Sequence, residues 1–230
     1  MKPTICVSIP VINVKKTLSL VKKAVKQEAD LIEFRFDHLS ERATAKAILP
    51  KLAKSTELKK IATNRARREG GKWLGEEQKR IELLVEAAKQ GFEMIDLELT
   101  ALNLGSAAEE IKAEGAELII SSHIFYGTPL KVELKEICEK EVKAGADVCK
   151  VVTKANTVLD NLEPLNLLRE FNRKPIVCFA MGRFGVPSRI LSPMFGGAFT
   201  YACVDKNLRV APGQLTVQEL KQIYGLMGLL

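Results

Sequence analysis

Long apolar runs are missing from this sequence, and none approaches the ~20 residues that a membrane-spanning helix needs. The N-terminal segment MKPTICVSIP has no signal-peptide core and leads directly into a strand-like pattern. Hydrophobic residues make up 47% of the chain and charged residues 27%, as in globular proteins. We therefore expect a cytoplasmic protein without a membrane partner.

Paired cysteines are also missing, and basic charge is clustered at one place only. The five cysteines are scattered and form no C-x-x-C motif, which favours reduced, buried thiols over disulfides or a zinc site. The net charge is +7, yet lysines and glutamates are mixed along most predicted helices, and arginines cluster only at 65–68. A solvated surface and an anionic small substrate explain this charge more simply than a nucleic-acid partner does.

No linker rich in proline, glycine or serine and no low-complexity tract divides the chain. Apolar strand-like runs instead alternate with amphipathic helical segments. We predict strands at 5–9, 31–36, 58–63, 93–98, 117–122, 147–152, 175–180 and 197–202. We predict helices at 14–27, 42–55, 76–90, 106–114, 130–144, 157–171, near 184–190 and at 216–227.

This alternation predicts one (βα)8 barrel of eight parallel strands, an α/β fold that extends over residues 1–230. Glycines at 91, 115 and 145 each follow a predicted helix and fit a short turn into the next strand. A doubly wound open sheet is the alternative. The count of eight strands and the lack of a G-x-G-x-x-G motif after the first strand disfavour it.

Lys150 stands in the middle of the apolar run ADVCKVV, which forms the predicted sixth strand. A lysine is almost never fully buried without a partner, and an amine in water is almost wholly protonated at neutral pH. Desolvation and nearby cations can make the free amine accessible for a Schiff base with a carbonyl. We interpret Lys150 as such a nucleophile. A structural lysine that reaches out of the barrel's end is the alternative.

Histidine is scarce, with only His38 and His123 in the chain. His123 ends the predicted fifth strand, where a barrel places its catalytic groups, so we interpret it as an acid–base residue. His38 lies in the turn after the second strand and is interpreted as a structural residue.

Charged side chains lie late in other predicted strands as well. Glu33 and Arg35 alternate with apolar residues on the second strand, which indicates either a structural pair or a polar wall for a hydroxylated substrate. Arg65 is in phase with the third strand and is expected to point inward, with Glu69 within reach of the same site. Arg189, after the seventh strand, suggests a planar anion, either a carboxylate or a phosphate.

Six motifs, each near the carboxyl end of a predicted strand, resemble type I 3-dehydroquinate dehydratase over nearly the whole chain. The motifs are E-F-R-F-D, T-N-R with R-E-G-G, S-S-H, G-A-D-V-C-K, M-G-x-x-G-x-x-S-R and A-P-G-Q. The resemblance implies a lyase of the shikimate pathway that removes water from 3-dehydroquinate to give 3-dehydroshikimate. It also implies a homodimer and no metal or organic cofactor.

The resemblance further implies a role for each matching residue. Lys150 would form an imine with the ketone, and His123 would remove a proton and then protonate the departing hydroxyl, oriented by Glu69. Arg189 would hold the substrate carboxylate, and Gln214 would close the site from the last loop. The remaining substrate contacts would come from Glu33, Arg35, Arg65 and Ser8.

Three positions depart from the family pattern. Ser122 and Ile124 flank the histidine where the family often has an aromatic residue and an aspartate, so the imidazole would be supported by Glu69 or by backbone. Val210 stands where a serine often precedes A-P-G-Q, which implies a weaker substrate contact or a water in its place.

Two other functions would fit parts of the sequence. A class I aldolase acting on a sugar phosphate would share the lysine of the sixth strand, but Glu33 and Arg35 with Arg189 favour a polyhydroxy carboxylate. A non-catalytic anion-binding protein would explain the basic charge and would leave the buried Lys150 unexplained.

Overall fold

Parallel strands form the centre of the molecule, for which a computed structural model describes residues 2–39 and 45–230. Within these ranges one sheet contains nine strands in the order β7-β6-β5-β4-β3-β2-β1-β8-β9. The strands are β1 (Ile5–Pro10), β2 (Leu31–Arg35), β3 (Lys59–Thr63), β4 (Met94–Glu98), β5 (Glu117–His123), β6 (Val148–Lys154), β7 (Ile176–Met181), β8 (Thr200–Cys203) and β9 (Leu215–Thr216).

The sheet curls until its late strand β8 lies beside β1. Ile5 of β1 is aligned with Thr200 of β8, and the two strands run parallel from there. On the other side, the Ala198 N–H, just before β8, donates to the Ile176 carbonyl of β7 at 2.8 Å. The predicted α/β barrel of parallel strands is therefore confirmed. The short β9, which pairs with β8, is an addition to the eight predicted strands.

Helices cover the outer face of the sheet. In the described ranges they are α1 (Val14–Lys26), α2 (Ala45–Ala53), α3 (Glu77–Lys89), α4 (Leu104–Ala113), α5 (Lys131–Lys143), α6 (Leu162–Glu170), α7 (Val186–Leu191) and α8 (Val217–Leu226). The predicted helix at 157–171 is wrong at its start, because a 3-10 turn capped by Thr157 and Asp160 precedes α6. Residues 42–44 of the predicted second helix lie outside the described ranges.

The strand β8 begins at Thr200 and not at the predicted residue 197, because a glycine turn precedes it. Gly196 has a φ of +100°, a left-handed conformation that favours glycine. The Gly197 N–H donates to the Ser192 carbonyl at 2.9 Å, and this bond closes the turn. A Cβ atom on Gly197 would lie only 2.7 Å from that carbonyl oxygen, so the turn requires glycine at both positions.

Alternation of side chains along each strand divides the apolar core into two layers. On β6, Cys149 and Val151 pack between the sheet and the helices, whereas Val148 and Val152 pack inside the barrel. Lys150 shares the inward phase of Val148 and Val152, because residues two apart face the same side of a strand. The pleat of β6 therefore directs the lysine side chain into the barrel.

The cysteines are buried free thiols, as predicted from their spacing. Burial, together with the neighbouring Glu141 carboxyl, raises the pKa of the Cys149 thiol to about 12, which disfavours the reactive thiolate. No helix in the described part of the chain is long and apolar enough to cross a membrane.

Candidate active site

One cavity at the carboxyl ends of the strands contains every candidate site residue named from the sequence. The cavity encloses ≈ 570 Å³ when its open mouth is included. Its lining includes Ser8, Glu33, Arg35, Arg65, Glu69, His123, Lys150, Arg189 and Gln214. Residues far apart in the chain therefore meet where a barrel normally holds its active site.

The Lys150 amine is held by two groups that the sequence did not identify. Its Nζ atom lies 2.7 Å from Asp96 Oδ2 and 3.0 Å from the Tyr201 hydroxyl. The Glu33 carboxylate is also near, with Oε1 3.7 Å from Nζ. The surroundings thus differ from the expected apolar pocket with nearby cations, since the nearest charged groups are carboxylates. A weak signal for Asp96 existed, because this aspartate alternates with apolar residues on β4.

Arg65 points inward as predicted, but its guanidinium is occupied by protein groups. It contacts Asp96 Oδ1 at 2.7 Å, Ser121 Oγ at 2.7 Å and Glu98 Oε1 at 3.0 Å. Burial raises the pKa of Asp96, but the charges of Arg65 and Lys150 outweigh burial and hold that pKa well below its usual range. Asp96 is therefore an ionised bridge between the arginine and the lysine amine.

His123 and Glu69 form a hydrogen-bonded pair at the edge of the cavity. Nδ1 of His123 lies 2.9 Å from Glu69 Oε2, and the other Glu69 oxygen accepts from the Thr100 hydroxyl at 2.8 Å. A carboxylate at Nδ1 keeps the ring proton on that nitrogen and leaves Nε2 with its lone pair. The geometry thus provides an oriented base, supported by the glutamate that the sequence had indicated.

The electrostatics of this pair favour a neutral imidazole. Burial lowers the pKa of His123 well below its usual value, and the charges of Arg65 and Lys150 lower it further. Burial raises the pKa of Glu69, partly offset by Arg65 and by the bond from Thr100. An imidazole that stays unprotonated at neutral pH is ready to accept a proton.

The polar residues of β2 do not pair with each other. The Arg35 guanidinium forms a two-bond fork with the Asp37 carboxylate, at 2.8 and 2.9 Å. The Glu33 carboxylate accepts instead from the Ser8 hydroxyl at 2.6 Å and from the Thr63 hydroxyl at 2.8 Å. The alternative of a structural pair between Glu33 and Arg35 is therefore wrong, and Glu33 keeps its place on the cavity wall.

Arg189 is a buried cation without a counter-ion in the described part of the chain. Its side chain stacks on the Phe179 ring, with the guanidinium carbon 4.2 Å from the ring centre. Only 1% of the residue is exposed, and its Nε atom has no hydrogen-bond partner. Burial lowers the pKa of Arg189 to about 10, which still leaves it charged at neutral pH. An unpaired guanidinium in a cavity is suited to bind an anionic ligand.

The loop before β9 closes one side of the cavity. The Gln214 side-chain carbonyl accepts from the Val210 N–H at 2.9 Å, and its amide nitrogen lies 3.4 Å from the Ser8 hydroxyl. Gly213 has a φ of +79°, and a Cβ there would lie 2.4 Å from the Gly182 carbonyl oxygen. This close approach positions Gln214 over the cavity, and Val210 contributes an apolar surface where the family often has a serine.

A buried glutamate behind the site accounts for Ser122, one of the two residues that flank His123. Glu141 of α5 accepts from the Ser122 hydroxyl at 2.8 Å and from the Lys150 N–H at 3.0 Å. Ile124 packs in the apolar layer outside the barrel. Sequence reasoning missed Glu141, although it shares the apolar face of α5 with Leu134 and Cys138. The glutamate joins the strands that hold the histidine and the lysine.

Comparison with known proteins identifies the family to which the chain belongs. The sequence profile described as Type I 3-dehydroquinase matches residues 5–230. The chain belongs to the type I 3-dehydroquinase family. Membership of this family favours the dehydratase over the aldolase and the anion-binding protein that the sequence left open.

Relatives and solved structures agree with the family. A 3-dehydroquinate dehydratase of Methanosarcina barkeri is 38% identical over 224 residues, which are 93% of this chain and 91% of the relative. The type I 3-dehydroquinate dehydratase of Clostridium difficile has a TM-score of 0.89 and 27% identity, covering 98% of this chain and 92% of that one. The Geobacillus kaustophilus 3-dehydroquinate dehydratase, at 24% identity, shares the fold with a TM-score of 0.91 and covers 99% of this chain and 92% of that one.

Proposed function

We propose that this chain dehydrates 3-dehydroquinate through a Schiff base formed by Lys150. Family membership supplies the reaction, which is the hydro-lyase step of the shikimate pathway that gives 3-dehydroshikimate. The observation that best supports the mechanism is the content of one cavity: a buried amine, a neutral imidazole and an unpaired guanidinium. These three groups match the ketone, the acidic C–H and the carboxylate of the substrate.

Binding begins with the substrate carboxylate. Arg189 offers a planar pair of donors that matches a carboxylate, and its burial makes that contact strong because water cannot compete. Gln214 and Ser8 lie on the same side of the cavity and close around the ligand. Glu33 and Arg35 form the polar wall for the ring hydroxyls. Since the donors of Arg65 already bind protein groups, we assign to it mainly the fixing of Asp96 beside the lysine.

Chemistry then proceeds at the Lys150 amine. The amine adds to the ketone carbon, and water is lost with the uptake of one proton, which leaves a protonated imine that withdraws electrons from the adjacent C–H bond. His123 takes that proton through Nε2 and passes it to the departing hydroxyl, so a second water leaves and a conjugated, protonated imine forms. Hydrolysis of this imine consumes one water, gives back the proton, releases the product as a conjugated enone and restores the amine. The net change is the loss of one water.

Covalent chemistry in this fold has support from a related protein. The type I 3-dehydroquinate dehydratase of Clostridium difficile was crystallised with covalently modified comenic acid. The same proposal includes a cytoplasmic homodimer in which residues 1–230 form one catalytic domain, as the family resemblance implies. Sedimentation equilibrium tests the dimer, because the expected mass is twice 25.4 kDa. A species of 25.4 kDa at micromolar concentration would contradict it.

Borohydride trapping tests the Schiff base. Borohydride reduces an imine to a stable amine, so incubation with 3-dehydroquinate should leave a mass adduct on the peptide that contains Lys150. The variant Lys150→Met should show neither adduct nor turnover. The control Lys154→Met changes an exposed lysine at the end of the same strand and should retain both. Turnover without any adduct in the unmodified protein would refute the imine mechanism.

A further inference from the structure

Tyr201 is a buried residue that the mechanism above does not use. It lies on β8 and is only 4% exposed. Its ring is held edge-on by Phe199 and Phe179, with centroids 5.4 and 6.3 Å away. The hydroxyl oxygen accepts a hydrogen bond from Lys150 Nζ at 3.0 Å. The packing of two phenylalanines thus aims a phenol at the nitrogen atom that is proposed to react.

The proton of this hydroxyl remains available. Among the described residues, the Tyr201 oxygen makes one hydrogen bond, and it is the acceptor in that bond. Burial raises the pKa of Tyr201 well above its usual value, and the charge of Glu33 raises it further. The phenol is therefore protonated at neutral pH, and its proton can be donated to a ligand in the cavity.

Formation of the imine requires a proton to move between two atoms on one carbon. When the amine adds to the ketone, the C–N bond forms and the carbonyl electron pair moves to oxygen. The adduct then has an extra proton on nitrogen and a negative charge on oxygen. Both atoms are bonded to the same carbon, so a group within hydrogen-bond distance of the nitrogen can also reach the oxygen. Tyr201 meets this requirement.

We propose that the Tyr201 hydroxyl relays a proton from Lys150 Nζ to the ketone oxygen as the carbinolamine forms. The phenol O–H bond breaks as its proton passes to the oxyanion, and the phenolate oxygen takes the extra proton from nitrogen. The tyrosine is unchanged at the end, and the adduct becomes a neutral amino alcohol that can lose water. This inference rests on the Schiff-base function proposed above.

Among the described residues, Asp96 and His123 also lie near the amine but lack a proton to donate at this step. Asp96 also contacts Nζ, but it is ionised because Arg65 and Lys150 hold its pKa low against the effect of burial. His123 is neutral before it removes the substrate proton, and its ring N–H points to Glu69. Tyr201 is therefore the protonated donor in contact with the reacting nitrogen.

The variant Tyr201→Phe removes only the hydroxyl. General acid–base catalysis typically contributes 10²–10⁴-fold, so we expect the Lys150 adduct to form roughly a hundredfold more slowly. Rapid-quench borohydride trapping, followed by mass spectrometry, measures this rate directly. The dissociation constant for quinate, a ligand with the carboxylate but no ketone, should stay within about twofold of the unmodified protein, because the carboxylate clamp is untouched.

Two tyrosines elsewhere provide matched controls. Tyr224→Phe removes a buried hydroxyl that donates to the Ile190 carbonyl at 2.9 Å, and Tyr126→Phe removes one from a residue that is 79% exposed. Both variants should form the trapped Lys150 adduct at the rate of the unmodified protein. A normal trapping rate in Tyr201→Phe would overturn the relay, and so would a loss of quinate affinity as large as the loss of rate. No adduct in the unmodified protein would instead refute the Schiff-base function itself.

A second measurement avoids dependence on the folding of Tyr201→Phe. The chain has three tyrosines, so fluorotyrosine incorporated into the Tyr126→Phe/Tyr224→Phe variant replaces the phenol at 201 alone. Fluorination makes the phenol more acidic while preserving its size and its hydrogen bond. The relay predicts that the trapping rate changes with the acidity of the phenol, whereas an unchanged rate across fluorotyrosines would overturn it.

Discussion

Replacement of Arg189 by methionine should strengthen the fold and weaken substrate binding at the same time. The guanidinium is buried and has no counter-ion among the described residues, so the folded protein bears its desolvation cost. Methionine has a similar length, no charge and favourable contacts with aromatic rings, which suits the space over Phe179. The variant therefore removes the charge while retaining much of the packing.

The stability change follows from the pKa of the arginine. Burial lowers that pKa from the usual 12.5 to about 10, and each unit corresponds to about 1.36 kcal/mol, which gives about 3 kcal/mol. A base whose pKa falls on folding destabilises the folded state below the lowered value, so the cost applies fully at neutral pH and fades above about 10. Loss of the contact with the Phe179 ring removes about 1–2 kcal/mol. We expect a net gain of about 1–2 kcal/mol.

Urea unfolding monitored by the fluorescence of Trp73, the only tryptophan in the chain, measures this gain. Binding should change in the other direction. Hydrogen bonds to charged groups contribute about 1.5–3 kcal/mol each, so quinate affinity should fall at least roughly tenfold. Arg173→Met, which changes an exposed arginine paired with Glu139, is the control and should leave binding unchanged. An Arg189→Met protein that is less stable and binds quinate normally would refute the assignment of Arg189 as an anion clamp.

Three further outcomes test the rest of the site. His123→Ala should still form the trapped adduct on Lys150 but should stall before proton removal, and full turnover would contradict its role as base. Because burial and the charges of Arg65 and Lys150 lower the pKa of His123, its imidazole should stay neutral in an NMR titration as pH falls through 6.5, and protonation of His123 that begins above 6.5 would contradict the neutral imidazole. Glu141→Gln should not lower the free energy of unfolding, because burial raises the pKa of Glu141 well above its usual value and the folded protein bears the cost of ionising it. The glutamine carbonyl can accept from the Lys150 N–H while its amide donates to the Ser122 hydroxyl oxygen. A lower free energy of unfolding in urea would contradict this. The added substitution Ser122→Ala should change the effect of Glu141→Gln in the same assay, and simple additivity would argue against a shared network.

The sequence predicted the direction of site side chains correctly where the pattern within a single strand decides it. The alternation of charged and apolar residues on β2 predicted which side chains enter the barrel, and Ile32 and Phe34 do pack outside it. The same rule applied to β6 placed Lys150 inside. The predicted start of β8, in contrast, was too early, because the glycine turn before this strand has left-handed backbone geometry. A left-handed residue interrupts a strand even where apolar residues follow.

The sequence did not predict which residues contact Lys150 from other strands of the barrel. Asp96 and Tyr201 bind the Lys150 amine although they lie 54 and 51 positions away, on strands that are not its neighbours in the sheet. Arg35 pairs with Asp37 and not with Glu33, because the chain turns at the end of β2 and brings the Arg35 and Asp37 side chains together. Periodicity predicts which face of a strand a side chain is on, but it does not predict which side chains of different strands come into contact.

The sequence by itself determined the alternation of strands and helices, the inward phase of the polar residues and the resemblance that named Lys150 and His123. These are local properties, since they depend on side-chain direction within one element. Only the tertiary structure decided the contacts between distant groups of the site: that Asp96 and Tyr201 lie against the Lys150 nitrogen, and that Arg189 has no counter-ion among the described residues. Those contacts arise because the curled sheet brings distant strands to face each other across the barrel interior. A charge buried there is costly unless a protein group or a ligand pairs with it.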